Sequence, residues 1–174
     1  MQKTAIFYGP VGGSTEYVAK KVQGIIGTGR CDLIPVREAS LTDLERYDNI
    51  IFGIATIGNE TWHNEPVKSG WFGFMPELEK CDFKGKKCAI FGLGDQIRYA
   101  DHFVDAMADI YEVIKANGAS VTGSVDPEGY EFNHSRSLVD GKFIGLPVDE
   151  DFESDRTDKR IRSWMEKVMP QFGL

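Results

Sequence analysis

Three runs of this chain are apolar almost without interruption: "AIFY" at residues 5–8, "NIIFGIAT" at 49–56 and "KKCAIFGLG" at 86–94. A strand with one wet face alternates apolar and polar residues. An unbroken run implies that both faces are covered, as in a parallel sheet packed between helices. The segments between the runs have helical periodicity. "STEYVAKKVQGII" places Val18, Val22 and Ile25 at helical spacing. "FVDAMADIYEVIKANG" puts Phe103, Met107, Ile110, Tyr111 and Ile114 on one face, with Gly118 at its stop. "RTDKRIRSWMEKVMPQFGL" reads as a final helix with Ile161, Trp164, Met165 and Val168 inward, Pro170 near its end, and Asp155 or Thr157 as its cap. "CDLIPV" and "ASVTGSV" are further short strands. The alternation predicts an α/β fold, a doubly wound parallel sheet with helices on both faces.

The 174 residues fit one domain, residues 1–174, with a substantial core. Residues 126–151 interrupt the alternation. They are polar, aromatic and glycine-rich, and read as an insertion around the last strand. A net charge of -7 argues against nucleic acid or an anionic membrane as partner and suits docking to a basic protein. The three cysteines, Cys31, Cys81 and Cys88, form no C-x-x-C pair, so neither a disulfide framework nor a zinc site is implied. The apolar stretch at the N-terminus is too short for a signal peptide and no run reaches transmembrane length. The expectation is a cytoplasmic protein.

In a doubly wound sheet, ligands bind at the carboxyl ends of the strands beside the switch in strand order. The loop after "AIFY" is "GPVGGST", leading into a helix. Free amides and the positive dipole end at a helix start favour an anion, and Gly12 and Gly13 let the backbone curl around one. The loop fits neither G-x-x-x-x-G-K-[ST] nor G-x-G-x-x-G. The plain alternative is a strand-to-helix turn capped by Ser14 or Thr15. In "GLGDQIRYADHF", Asp95 can accept a hydrogen bond from a ring N–H and Tyr99 offers a face for stacking, although a buried tyrosine would also explain it. The loop "TIGNETWHNEPVKSGWF" between them is long enough to be a binding loop and holds Ile57, Gly58, Trp62, His63 and Trp71. His63, His102 and His134 complete no metal site or triad.

Together these loops resemble the flavodoxins over nearly the whole chain. "AIFYG…GxxxxE" resembles the family's first strand and phosphate loop, and "FKGKKCAIFGLGDQIRYADHFVDAM" its second flavin loop and following helix. "EGYEFNHSRSLVDGKFIGLPVDED" is similar to the strand insertion of the long-chain subfamily. The resemblance implies a flavodoxin-like fold of strand order 2-1-3-4-5. It also implies noncovalent FMN and low-potential one-electron transfer by a monomer that is not a self-contained catalyst. Its donor would be a flavoprotein reductase or oxidoreductase, and its acceptor a metal-cluster or radical enzyme. By position, Gly9, Pro10, Val11, Gly12, Gly13, Ser14 and Thr15 would surround the phosphate. Thr56, Ile57 and Gly58 would line the inner side of the ring, and Gly92, Leu93, Gly94, Asp95 and Tyr99 the outer side. His102 stands where the family often has asparagine, Phe103 ends the same loop, and Asp151 matches an acidic position near the ribityl chain.

The chain departs from the family at three places. The phosphate loop of the family reads roughly [TS]-x-T-G-x-T, whereas Pro10 and Gly12 here replace the first two hydroxyl residues. Arg98 stands where a small residue is usual. The inner wall reads as Ile57 when counted forward from "IIFGIAT" and as Trp62 when counted back from "SGWFGF"; the Gly58 that follows Ile57 favours the first. Besides the carrier, two other functions fit the sequence: an FMN-dependent NAD(P)H or quinone reductase, and a binding domain with weakened or lost FMN binding. With Ile57 as the inner wall, Ile57→Ala changes FMN affinity in a fluorescence titration and Trp62→Ala does not; equal effects would mean that the assignment is wrong.

Overall fold

The computed structural model describes residues 3–56 and 70–174. Four parallel strands form the centre: β1 (Thr4–Tyr8), β2 (Cys31–Pro35), β3 (Asn49–Ala55) and β4 (Lys87–Leu93). Their order is β2-β1-β3-β4, and β3 pairs with β4 along its whole length, from Asn49 opposite Lys87 to Ala55 opposite Leu93. All residues of β1 are buried, as are nearly all of β3 and β4, as their unbroken apolar runs require. Among the described residues five α-helices follow the strands: α1 (Ser14–Ile26), α2 (Leu41–Glu45), α3 (Trp71–Lys80), α4 (Ala106–Ala116) and α5 (Ser154–Phe172).

The period of two along each strand divides the core into two layers. In β1, Ile6 and Tyr8 face α1 and α5, meeting Val18, Val22, Trp164, Met165 and Val168. Ala5 and Phe7 face the other way, toward Phe74, Leu78, Met107 and Ile110 of α3 and α4. Phe7 stacks on Phe74 with centroids 5.8 Å apart, and Phe91 meets Trp164 edge-on at 6.4 Å. Each such fully buried side chain contributes about 1.5–3 kcal/mol relative to exposure. Trp71, which reads in sequence as part of a long loop, starts α3 and is fully buried. Its Nε1–H lies 3.3 Å from the Gly9 carbonyl and 3.2 Å from that of Gly53, tying α3 to the ends of β1 and β3.

The fifth position of the sheet is filled in two pieces. β5 (Ser120–Val121) pairs with the start of β4, and β8 (Leu146–Val148) pairs with its end. Between them runs the predicted insertion, with a hairpin of β6 (Leu138–Val139) and β7 (Lys142–Phe143). Its aromatic residues extend the α3–α4 core layer: Phe103 packs on Tyr130, Phe132 and Phe143 at centroid distances of 5.7, 5.6 and 5.9 Å.

Some local expectations are corrected. The inward residue of α1 is Ile26, whereas Ile25 is 38% exposed, because the buried face is centred on Thr15, Val18, Ala19, Val22 and Ile26, and position 25 lies about 75° to one side of that centre at 3.6 residues per turn. Phe103 precedes α4 instead of belonging to it, since Val104 has a left-handed backbone with φ 51° that breaks the helix there. Neither Asp155 nor Thr157 caps α5; the cap position is Glu153, and Thr157 donates its hydroxyl to Glu150. Neither Ser14 nor Thr15 caps α1, whose cap position is Gly13.

All three cysteines are buried and unpaired. Burial pushes the thiols of Cys31 and Cys88 up to about 12 and raises that of Cys81. Gly145 enters β8 where a side chain cannot fit, because a Cβ there would lie 2.1 Å from the Ile90 carbonyl oxygen. Gly145→Ala therefore pushes β8 off β4. The expected loss is about 1–3 kcal/mol or more, measured by urea unfolding; unchanged stability would show that the two strands separate at no cost.

Candidate functional site

The carboxyl ends of β1, β3 and β4 meet at one edge of the sheet, beside the switch in strand order. A cleft of about 250 Å³ opens there. Pro10, Ser14 and Thr15 come to it from the first loop, Thr56 from the end of β3, and Leu93, Gly94, Asp95 and Tyr99 from the loop after β4. Asp151 closes the far rim, with Ala55 and Glu150, which sequence reading missed. A larger hollow of about 600 Å³, with Lys3, Arg30 and Arg46, lies at the amino ends of β1 and β2, the wrong edge for a ligand of such a sheet.

The first loop leaves β1 with the Gly9 N–H donating to Gly53 O at 3.1 Å. Pro10 has no N–H to offer, and Val11 is 36% exposed. Gly12 turns the chain with φ 86°, a conformation glycine adopts freely. Its N–H donates to the Glu16 carboxylate at 2.6 Å, and Lys20 reaches that carboxylate at 2.6 Å as well. The Lys20 ammonium, and then the Gly12 amide, hold the Glu16 carboxyl below the usual range. Helix α1 closes its first bond from Tyr17 N to Gly13 O, so the amides of Ser14, Thr15 and Glu16 have no carbonyl one turn back. Those amides and the Ser14 and Thr15 hydroxyls can receive an anion.

The second loop is built on close approach. A Cβ on Gly92 would lie 2.4 Å from Met107 Cγ, and one on Gly94 would lie 3.0 Å from Val104 Cγ1. The Gly94 N–H donates to Val148 O at 3.0 Å, so β8 steers the loop. Asp95 is 5% exposed; its Oδ1 accepts the Ile97 and Arg98 amides at 3.0 and 2.7 Å. Its Oδ2 is buried and accepts no hydrogen bond among the described residues; Arg98 Nε stands 3.6 Å away. Tyr99 follows within one turn and is 43% exposed. The Arg98 side chain is largely in solvent, 5.7 Å from the Phe152 ring.

Thr56 secures the end of β3. Its N–H donates to Leu93 O at 2.8 Å, and its hydroxyl accepts the Ala106 N–H at the start of α4 at 2.9 Å. Gly92 packs against Met107 behind the cleft, Gly9, Gly12 and Gly13 belong to the backbone of the first loop, and Val11 lies on that loop's outer surface. The structure turns His102 and Phe103 elsewhere: His102 Nδ1 meets Asp105 Oδ2 at 3.1 Å, and Phe103 is fully buried against the insertion. Ile57, Gly58, Trp62 and His63 lie outside the described residues.

A doubly wound sheet with an anion-ready helix start, a buried carboxylate oxygen that accepts no hydrogen bond among the described residues and a half-exposed tyrosine at one edge is suited to binding a phosphorylated ring compound. The family model described as "Flavodoxin" matches residues 6–164. A flavodoxin of Nostoc sp. is 42% identical over 99% of each chain, and flavodoxin 1 of Azotobacter vinelandii is 38% identical over 99% of this chain and 98% of its own. The crystal structure of a mutant flavodoxin of Fusobacterium nucleatum bound to flavin mononucleotide superposes with a TM-score of 0.89 at 25% identity, over 98% of this chain and 97% of that one. The chain belongs to the flavodoxin family.

Proposed function

We infer that this chain is a one-electron carrier that works with noncovalently bound FMN, and that it is an electron-transfer protein and not a self-contained catalyst. The observation that carries the reading is the Asp95 Oδ2 atom, buried without a hydrogen-bond donor among the described residues at the cleft beside Tyr99. A buried carboxylate oxygen without a donor is costly, and a ring N–H at that position would satisfy it. When bound, FMN supplies two successive one-electron steps at its ring system.

The chain's own residues bind and tune. Ser14 and Thr15, with the first amides of α1, hold the phosphate; Thr56 and Leu93 wall the cleft, and Tyr99 stacks on the ring and shields it from water. Glu150 and Asp151 place negative charge at the rim, which disfavours a further negative charge on the ring and lowers its potential. Pro10 and the Gly12 amide, already given to Glu16, leave this phosphate loop with fewer donors than the family pattern supplies. A charge-assisted hydrogen bond contributes about 1.5–3 kcal/mol, so the loop relies on its remaining amides and on Ser14 and Thr15. The carrier acts as a monomer in the cytoplasm, taking electrons from a flavoprotein reductase or oxidoreductase and giving them to a metal-cluster or radical enzyme. Among the described residues no helix is long and apolar enough to cross a membrane.

Titration of the protein with FMN quenches flavin fluorescence to an end point near one equivalent. At a free FMN concentration of about 100 Kd the cofactor adds about 2.7 kcal/mol to the unfolding free energy; absence of both quenching and stabilisation would reject the reading. Arg98→Gly removes a cation beside Asp95 and lowers the midpoint potential of the second reduction by tens of millivolts, measured by spectroelectrochemistry. An unchanged potential would place Arg98 outside the field at the ring.

A further inference from the structure

Behind the cleft lies a polar cluster that no motif announces. Asp149, at the end of β8, is fully buried, and Gln96 is 2% exposed. Asp149 Oδ2 accepts both the Gln96 amide, at 3.1 Å, and Gln96 Nε2, at 3.0 Å. Its Oδ1 accepts the amides of Asp151 and Phe152 at 3.0 and 2.9 Å. One carboxylate thus grips two backbone segments at once. The first is the loop that carries Asp95 and Tyr99, and the second carries Asp151 on the opposite rim. Gln96 extends the grip: its Nε2 also donates to Glu153 Oε2 at 2.7 Å, and its Oε1 accepts the Glu131 N–H from the insertion at 2.5 Å.

We propose that Asp149 and Gln96 are positioning residues for FMN, setting the spacing between the two rims of the cleft although neither lines it. The proposal rests on the FMN reading above. Four N–H donors on one carboxylate account for a charge in a fully buried place, and fix its two oxygens in direction. Asp95 is the neighbour of Gln96 in the chain, so the direction of its Oδ2 follows from where Gln96 is held. Asp151 is held by the other oxygen of the same carboxylate. A shift of either segment changes the width available to a ring lying between Tyr99 and the rim. The insertion enters the same arrangement through the Glu131 amide, so a segment distant from the cleft bears on its geometry.

The test compares Asp149→Asn and Gln96→Ala with Tyr47→Phe, which removes a hydrogen bond to Asp32 at the far edge of the sheet. Asp149→Asn keeps the shape but leaves only one oxygen for four donors. For each protein, urea unfolding gives the stability, a fluorescence titration gives the FMN Kd, and visible circular dichroism of the FMN-saturated protein reports the ring's surroundings. The expected result is a Kd raised roughly 10- to 100-fold in both clasp variants, with an altered visible dichroism. Tyr47→Phe loses stability but keeps its Kd within about twofold of wild type. A Kd within about twofold in the folded clasp variants, or a rise matched by Tyr47→Phe, overturns the proposal. If the buried substitutions prevent folding, Glu153→Gln, on the half-buried partner, decides in their place by a severalfold rise or none. Wild-type protein in the same titration tests the FMN reading separately.

Discussion

The pairing of β4 underlies the rest of the structure. One edge of this strand is bonded to β3 from end to end; the other is shared by β5 at its start and β8 at its end. The shared edge lets the chain leave the sheet after Val121 and return at Leu146 without exposing the interior of the strand. It also places the end of β8 against the loop that follows β4, where the Gly94 amide bonds to the Val148 carbonyl. A single continuous fifth strand would have no such excursion, and Glu131 would have no route to Gln96. The insertion is thus attached at its two ends by backbone pairing, and in its middle by the aromatic packing around Phe103, by the bonds of Asn133, His134, Ser135 and Ser137 to the backbone of residues 100–104, by Arg136 on Asp105 and Asp109, and by the Gln96 side-chain amide.

Much of this was legible in the chain because its strongest signals are bulk ones. Unbroken apolar runs announce buried parallel strands, and β1, β3 and β4 fall where those runs lie. The helices follow from 3.6-residue stripes, and the error at Ile25 is one position on such a stripe. What stayed hidden are choices between local partners. Ser14 is a good cap by type, yet Gly13 takes the position, and Thr157 spends its hydroxyl on Glu150. Phe103 has the right spacing for α4, but the left-handed turn at Val104 sends it into the insertion. The bond between Gln96 and Asp149 spans 53 residues and has no periodicity, so nothing in one sequence pairs them. Asp95 and Tyr99 were legible as candidates because one short loop at a strand's carboxyl end carries both, and both line the cleft. Glu150 and Ala55 were missed because they flank recognisable positions without matching any pattern.

The first loop shows how one fold accommodates a different sequence. Proline and glycine stand where hydroxyl side chains are usual, and the chain responds with local chemistry of its own. Gly12 adopts a left-handed turn and gives its amide to Glu16, which Lys20 then neutralises. The loop is held by an internal ion pair on the first turns of α1. Positive potential at the helix start is partly offset by that carboxylate, and the remaining attraction falls to the amides that follow it.

The three buried thiols also matter for a chain that handles electrons singly. With Cys31 and Cys88 pushed up to about 12 by burial and Cys81 raised as well, all three thiols stay protonated at neutral pH. A thiolate is the species that oxidants attack and that links one protein molecule to another. Burial therefore holds the three thiols in the protonated form, out of reach of oxidants in solution and of a second protein molecule.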